Sequence, residues 1–178
     1  MSNQKNKRAG EETKLIMLVM GIDPGIAICG YGLVKREGSS LVPVDCGVIR
    51  TSADCQTGER LSTIFRDIDS LIKNHRPVLI GVEELFFSKN AKTAMIVGQA
   101  RGVILLAAAQ NNVPIMEFTP LKVKQSVVGY GKAEKKQVIY MTEKILNLST
   151  KPHPDDAADA LAIAICAIHH AGSGLARL

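Results

Sequence analysis

Four acidic residues stand where a folded chain seldom keeps them, and their placement suggests phosphate chemistry. Asp23 closes an apolar run in Gly21-Ile22-Asp23-Pro24-Gly25, and Glu83 closes another in Gly81-Val82-Glu83-Glu84-Leu85. Asp156 and Asp159 head an otherwise apolar stretch, Asp156-Ala157-Ala158-Asp159-Ala160-Leu161. A spacing of three puts these two on one helix face. The same stripe continues through Ile163 and Cys166, so that face is expected to turn inward, toward a sheet. Buried carboxylates without partners are costly or take up protons. Converging carboxylates with no basic residue beside them in sequence are best explained by a divalent cation, and oxygen-only ligation suits Mg²⁺, with Mn²⁺ as substitute, better than zinc. Two such ions in one site activate a water and stabilise the leaving oxygen during in-line attack on a phosphodiester. Asp23, on the first strand, is best placed to bridge them. Glu83 would hold the ion on the nucleophile side, with Asp156 and Asp159 completing the set.

Taken singly, three of these positions have plainer readings. Asp-Pro-Gly is turn chemistry, Glu83 or Glu84 suits a solvent-facing strand end, and Asp155 and Asp156 are both good N-cap residues, with Asp155 expected to serve only as a cap. Asp159, inside an apolar helix, has no such explanation.

The elements that must position these acids follow from periodicity. Apolar runs over Leu15 to Ile22, Ala27 to Lys35 and Leu41 to Ile49, with a turn at Gly38-Ser39, predict an antiparallel meander of three strands. The period then changes, with Leu61, Ile64, Ile68, Leu71 and Ile72 at helical spacing before Asn74 and Pro77. A fourth strand from Val78 to Glu83, an Ala-rich helix from Ala91 to Gln110 and a fifth strand from Val113 to Phe118 come next. Helices are expected over Pro120 to Val128, Ala133 to Leu146 and Asp155 to His170. Hairpins first and crossovers afterwards imply an α/β fold, a mixed five-stranded sheet flanked by helices. Residues 1 to 13 are polar and aperiodic and are expected to form a mobile tail before one compact domain, 14 to 178.

Composition narrows the class. The 178 residues, 46% hydrophobic and 22% charged, suit one globular domain with its own core. Cys29, Cys46, Cys55 and Cys166 form no Cys-x-x-Cys pair and no zinc spacing, and read as reduced residues of a cytoplasmic protein. The run from Leu15 to Ile22 is too short to span a bilayer. The net charge is +5, and the segment from Lys122 to Lys144, with six lysines against Glu134 and Glu143, supplies +4 of it. By charge alone this segment is either a solvated helix face or a phosphate-binding patch.

Gly21-Ile22-Asp23-Pro24-Gly25, Val82-Glu83, Gly98-Gln99-Ala100-Arg101-Gly102, Val123-Lys124-Gln125 and Asp156-Ala157-Ala158-Asp159-Ala160-Leu161 occur in that order. The ordered set resembles the RuvC family of bacterial Holliday-junction resolvases over nearly the whole chain beyond the tail. That resemblance implies a ribonuclease-H-like fold and a homodimer that binds a four-way DNA junction and nicks two opposing strands symmetrically with Mg²⁺. Carried over by position, the family's catalytic acids fall on Asp23, Glu83, Asp156 and Asp159, and Asp155 lies outside them. A family phenylalanine that contacts DNA near the crossover matches Phe86, leaving Phe87 to packing. Lys124 and Lys135 match lysines that touch the DNA backbone. A branch-migration complex is the partner the family implies. Competing expectations are a nuclease for RNA–DNA hybrids, a junction-binding module without catalysis, and an actin-like ATPase; against the last, the chain shows no Gly-rich phosphate loop.

Overall fold

The computed structural model describes residues 16–84 and 91–175. Strands β1 (Ile16–Asp23), β2 (Ile28–Glu37) and β3 (Ser40–Arg50) form the expected meander. Helix α1 (Thr57–His75) leads to β4 (Leu79–Glu83), and α2 (Ala91–Gln110) to β5 (Ile115–Phe118). Helices α3 (Pro120–Val128), α4 (Lys135–Ile145) and α5 (Asp155–Leu175) complete the chain. The sheet order is β3-β2-β1-β4-β5, antiparallel from β3 to β1 and parallel from β1 through β4 to β5. This is the mixed sheet expected from hairpins followed by crossovers.

Local chemistry explains where elements start and stop. Helix α1 begins earlier than its apolar stripe suggests, because Gln56 and Glu59 form a reciprocal cap, with the Gln56 amide donating to Glu59 Oε2 at 3.1 Å. It ends at Arg76, left-handed at φ 52°, just before Pro77. Thr119 caps α3 by accepting from the Lys122 amide at 3.2 Å, and Gly129 closes that helix at φ 92°. Strand β5 starts later than expected, after Pro114, whose carbonyl still accepts from the Ile80 amide at 3.0 Å.

Each face of the sheet carries its own core. On one side Met20, Ile22, Leu33, Ile80 and Val82 pack against Ile64, Ile68 and Ile72 of α1 and Ala100, Ile104 and Ala107 of α2. By length and composition alone α2 reaches what a membrane span needs over Thr93–Gln110. It is nevertheless a packed element, seated on this core and tied to β5 by an ion pair between Arg101 and Glu117.

On the other side lies α5, buried along Ala160–Ile168 between the sheet and helices α3 and α4. The strand positions beneath it are glycines. A Cβ on Gly21 would strike the Ala160 carbonyl and the Ala164 amide, one on Gly30 the Asp156 carbonyl, and one on Gly32 the Leu161 amide at 2.7 Å. The helix backbone therefore rests directly on the sheet, at a separation only side-chain-free strands permit.

The open edge of β3 is interrupted. Leu33 faces Asp45 but Val34 faces Pro43, so Val44 is an extra residue that bulges the strand beside a proline.

Candidate active site

Strand alternation sets the geometry of the acids. On β1 Met20 and Ile22 point to the α1–α2 side, so Gly21 and Asp23 point to the α5 side. On β4 Ile80 and Val82 point to the α1–α2 side, so Gly81 and Glu83 point toward α5. Ile22 pairs with Val82 in the parallel register, which puts Asp23 and Glu83 side by side at the carboxyl ends of neighbouring strands. Asp23 pairs with Gly30 on its other flank, and the start of α5 at Asp156 rests on that glycine.

The stripe on α5 turns toward the sheet at Ile163, whose side chain stands against Gly81. Helix backbone and alanines make the flat contact with the sheet through Ala160, Leu161, Ala164 and Ala167. Asp159 instead turns into the seam between the sheet and helices α3 and α4. There it lines a cavity of about 230 Å³ with Glu83, Lys124, Lys135, Val138 and Ile163. Cys166, further along the stripe, faces the Lys122 carbonyl of α3 at 3.8 Å.

The acids feel one another. Burial, then the nearby negative charges of Asp159 and Asp156, push the Asp23 carboxyl up to about 6. Burial, then Asp23 and Asp159, push Glu83 up to about 7, opposed by Lys135 and Lys124. Burial also raises Asp159, against the lowering effect of its bond to Lys135. Asp23 thus sits between Asp156 and Asp159 electrostatically, with Glu83 on the Asp159 side. Asp155 behaves differently: its bond to Lys151, 3.1 Å away, holds it below the ordinary carboxylate range. Its placement agrees with a helix-end role apart from the other acids.

The lysines converge on the same place. Lys135 Nζ lies 2.8 Å from Asp159 Oδ2, and Lys124 lines the cavity beside Glu83. The family resemblance associated Lys135 with DNA alone; its pairing with an acid 24 positions away comes from the packing of α4 on α5. Phe86, Phe87 and the tail at 1 to 13 lie outside the described residues.

The donor set fits a hard divalent cation. Four carboxylates supply only oxygen, and burial raises the proton affinity of Asp23, Glu83 and Asp159, so a bound cation would relieve both desolvation and mutual repulsion. Cys29, near this end of β2, packs into the core on the opposite face of the sheet with Ile22 and Val82. Among the described residues, no three acidic, histidine or cysteine side chains are gathered tightly enough to hold an ion as they stand. The Lys135 ammonium supplies the positive charge at Asp159.

Comparison with known proteins gives consistent results. The sequence model of the family described as crossover junction endodeoxyribonuclease RuvC matches residues 19–167. A protein of that description from Pelotomaculum thermopropionicum is 54% identical over 154 residues, covering 86% of this chain and 94% of its own length. One from Heliobacterium modesticaldum is 52% identical over 160 residues, covering 90% and 99%. Among solved structures, RuvC of Thermus thermophilus in complex with a Holliday junction substrate superposes with a TM-score of 0.85 at 37% identity, covering 89% of this chain and 96% of that one.

Proposed function

Because the chain belongs to the RuvC family of crossover junction endodeoxyribonucleases, we propose that Asp23, Glu83, Asp156 and Asp159 are its catalytic residues and its ligands for Mg²⁺. The protein is a nuclease of ribonuclease-H-like fold that resolves Holliday junctions in DNA recombination and repair. Its substrate is the four-way junction, cut by paired symmetric nicks.

The observation that supports this site most directly is the gathering of acids from β1, β4 and α5 into one neighbourhood, where Asp156 and Asp159 raise the proton affinity of Asp23, and Asp23 and Asp159 that of Glu83. Asp23 feels the charges of both Asp156 and Asp159 and stands beside Glu83, which would suit it to hold two ions together, with Glu83 on the side of the attacking water. A divalent cation bound there supplies Lewis acidity to the water and to the leaving oxygen, and Mn²⁺ can replace Mg²⁺. The protein's own contribution is to fix the carboxylates on a rigid sheet end and to shield the phosphate with Lys124 and Lys135. The apolar wall of Val123, Val138 and Ile163 narrows the cavity and limits bulk water around the reacting phosphodiester.

Phe86, three residues after Glu83, is proposed to contact the DNA near the crossover, as an aromatic wedge beside a catalytic acid would. A homodimer matches two active sites to a nearly two-fold substrate. The outward side of α2 supports it: Met95 is 70% exposed and Leu106 49%, large apolar side chains that a second copy would cover. Cytoplasmic location and a branch-migration complex as partner follow from the family.

Asp23→Asn tests the site on a synthetic four-way junction with Mg²⁺. Junction binding is expected to survive while cleavage falls by at least about 100-fold. Persistent cleavage would remove Asp23 from the machinery. A wild-type preference for linear duplex or an RNA–DNA hybrid over the junction would redirect the substrate assignment.

A further inference from the structure

Lys135 opens α4 on the wall between two cavities. On one side is the acidic cavity of Glu83 and Asp159. On the other is a groove of about 450 Å³ along α4, lined by Lys136, Ile139, Tyr140, Glu143, Lys151 and Asp155 as well as by Lys135 itself, with Lys151 paired to Asp155 at 3.1 Å. The ammonium reaches into the first cavity and pairs with Asp159 Oδ2 at 2.8 Å, although the Lys135 side chain is 57% exposed. An ion pair this open to solvent is weak, and a four-carbon stem allows the head to swing. The groove offers it a second destination, since Lys135, Lys136 and Lys151 outnumber Glu143 and Asp155 along it, and the Lys144 ammonium over the Tyr140 ring, 5.3 Å from its centroid, adds positive charge for a phosphodiester backbone.

We propose that Lys135 is an exchangeable stand-in for the divalent cation. In the DNA-free protein its ammonium neutralises Asp159 and competes with the metal; a junction phosphate seated in the α4 groove draws the ammonium away and opens the acids to the ion. Metal and junction then bind cooperatively, and by reciprocity each raises the affinity for the other by the same factor. The protein holds its metal weakly until substrate is in place, which restrains nicking of DNA that does not fill the groove. This inference rests on the reading of the four acids as the metal centre.

The test measures Mn²⁺ binding by calorimetry and electron paramagnetic resonance, first without DNA and then with a junction carrying uncleavable linkages at the cut sites. Wild type is compared with Lys135→Met, Lys135→Gln and Lys135→Arg, each checked for an unchanged thermal melt. Without DNA, the Met and Gln variants are expected to bind Mn²⁺ about five-fold more tightly than wild type, and the Arg variant to stay close to it. The junction should strengthen Mn²⁺ binding in wild type, and that gain should shrink in the neutral variants by the factor already gained without DNA. Neutral variants that bind Mn²⁺ no better than wild type, or that keep the full junction-induced gain, overturn the role of Lys135. A wild-type protein that binds no Mn²⁺ even with the junction present overturns the metal-centre reading itself, and the inference with it.

Discussion

The two faces of the sheet solve the same packing problem in opposite ways. Toward α1 and α2 the strands present Met20, Ile22, Leu33, Ile80 and Val82, and side chains interlock across the gap between helix and sheet. Toward α5 they present Gly21, Gly30, Gly32 and Gly81, and the helix backbone lies on the strands. Interlocking side chains tolerate adjustment, because rotamers can shift. Backbone against backbone does not. Only the second arrangement brings acids on a helix beside acids at strand ends, and the proposed active site is on that face. Both faces carry a core, but only the α5 face also carries the acids.

The comparison breaks most visibly if a side chain is forced under α5. Gly21→Val should cost about 3 kcal/mol or more in urea unfolding, since the atoms in its way are backbone and cannot rotate aside. A loss under about 1 kcal/mol would mean that the helix can lift and that the close approach is not required. A smaller effect sharpens the electrostatic side. Asp23 at about 6 and Glu83 at about 7 hold protons more tightly folded than unfolded, so their contribution to stability is present at low pH and lost as pH rises through those values. The metal-free protein should therefore melt higher at about pH 6 than at about pH 8 from these groups, and Mg²⁺ should raise the melting temperature more at the higher pH. Asp23→Asn should flatten this dependence. Ile22→Val, the next residue but on the opposite face, should leave it intact and cost only about 1 kcal/mol. The smallest stability effect belongs to Lys124→Ala. It should change unfolding by less than about 0.5 kcal/mol while lowering the slope of log binding constant against log salt for junction DNA by about 0.9. An unchanged slope would take Lys124 off the backbone.

Much of this was legible in the residues because local rules and tertiary demands agree. Alternation and turn chemistry gave the meander, and helical spacing with Pro77 gave α1, although its first turn, set by Gln56 and Glu59, carries no apolar signal. The acids stood out because Asp159 violates the apolar pattern of its helix. What stayed hidden depends on pairing between distant segments. The glycines are plain in the sequence, but only the register of Asp23 with Gly30 and Ile22 with Val82 aligns them beneath one helix. The bond of Asp159 to Lys135 follows from the docking of α4. Helical periodicity fixes which residues share a face, but the neighbour that face meets is decided by packing.

The bulge at Val44 and the proline at 43 also bear on how copies of the protein meet. A strand of eleven residues with a continuous row of free amides and carbonyls invites a second molecule to extend the sheet, and fibrous association starts that way. Here one position has no amide hydrogen to offer and the next is out of step, so such growth fails halfway along the edge. At the other border β5 is only four residues long. When many copies crowd onto one stretch of DNA, sheet-to-sheet polymerisation is obstructed at both margins, and the proposed dimer would have to form through side-chain surfaces instead.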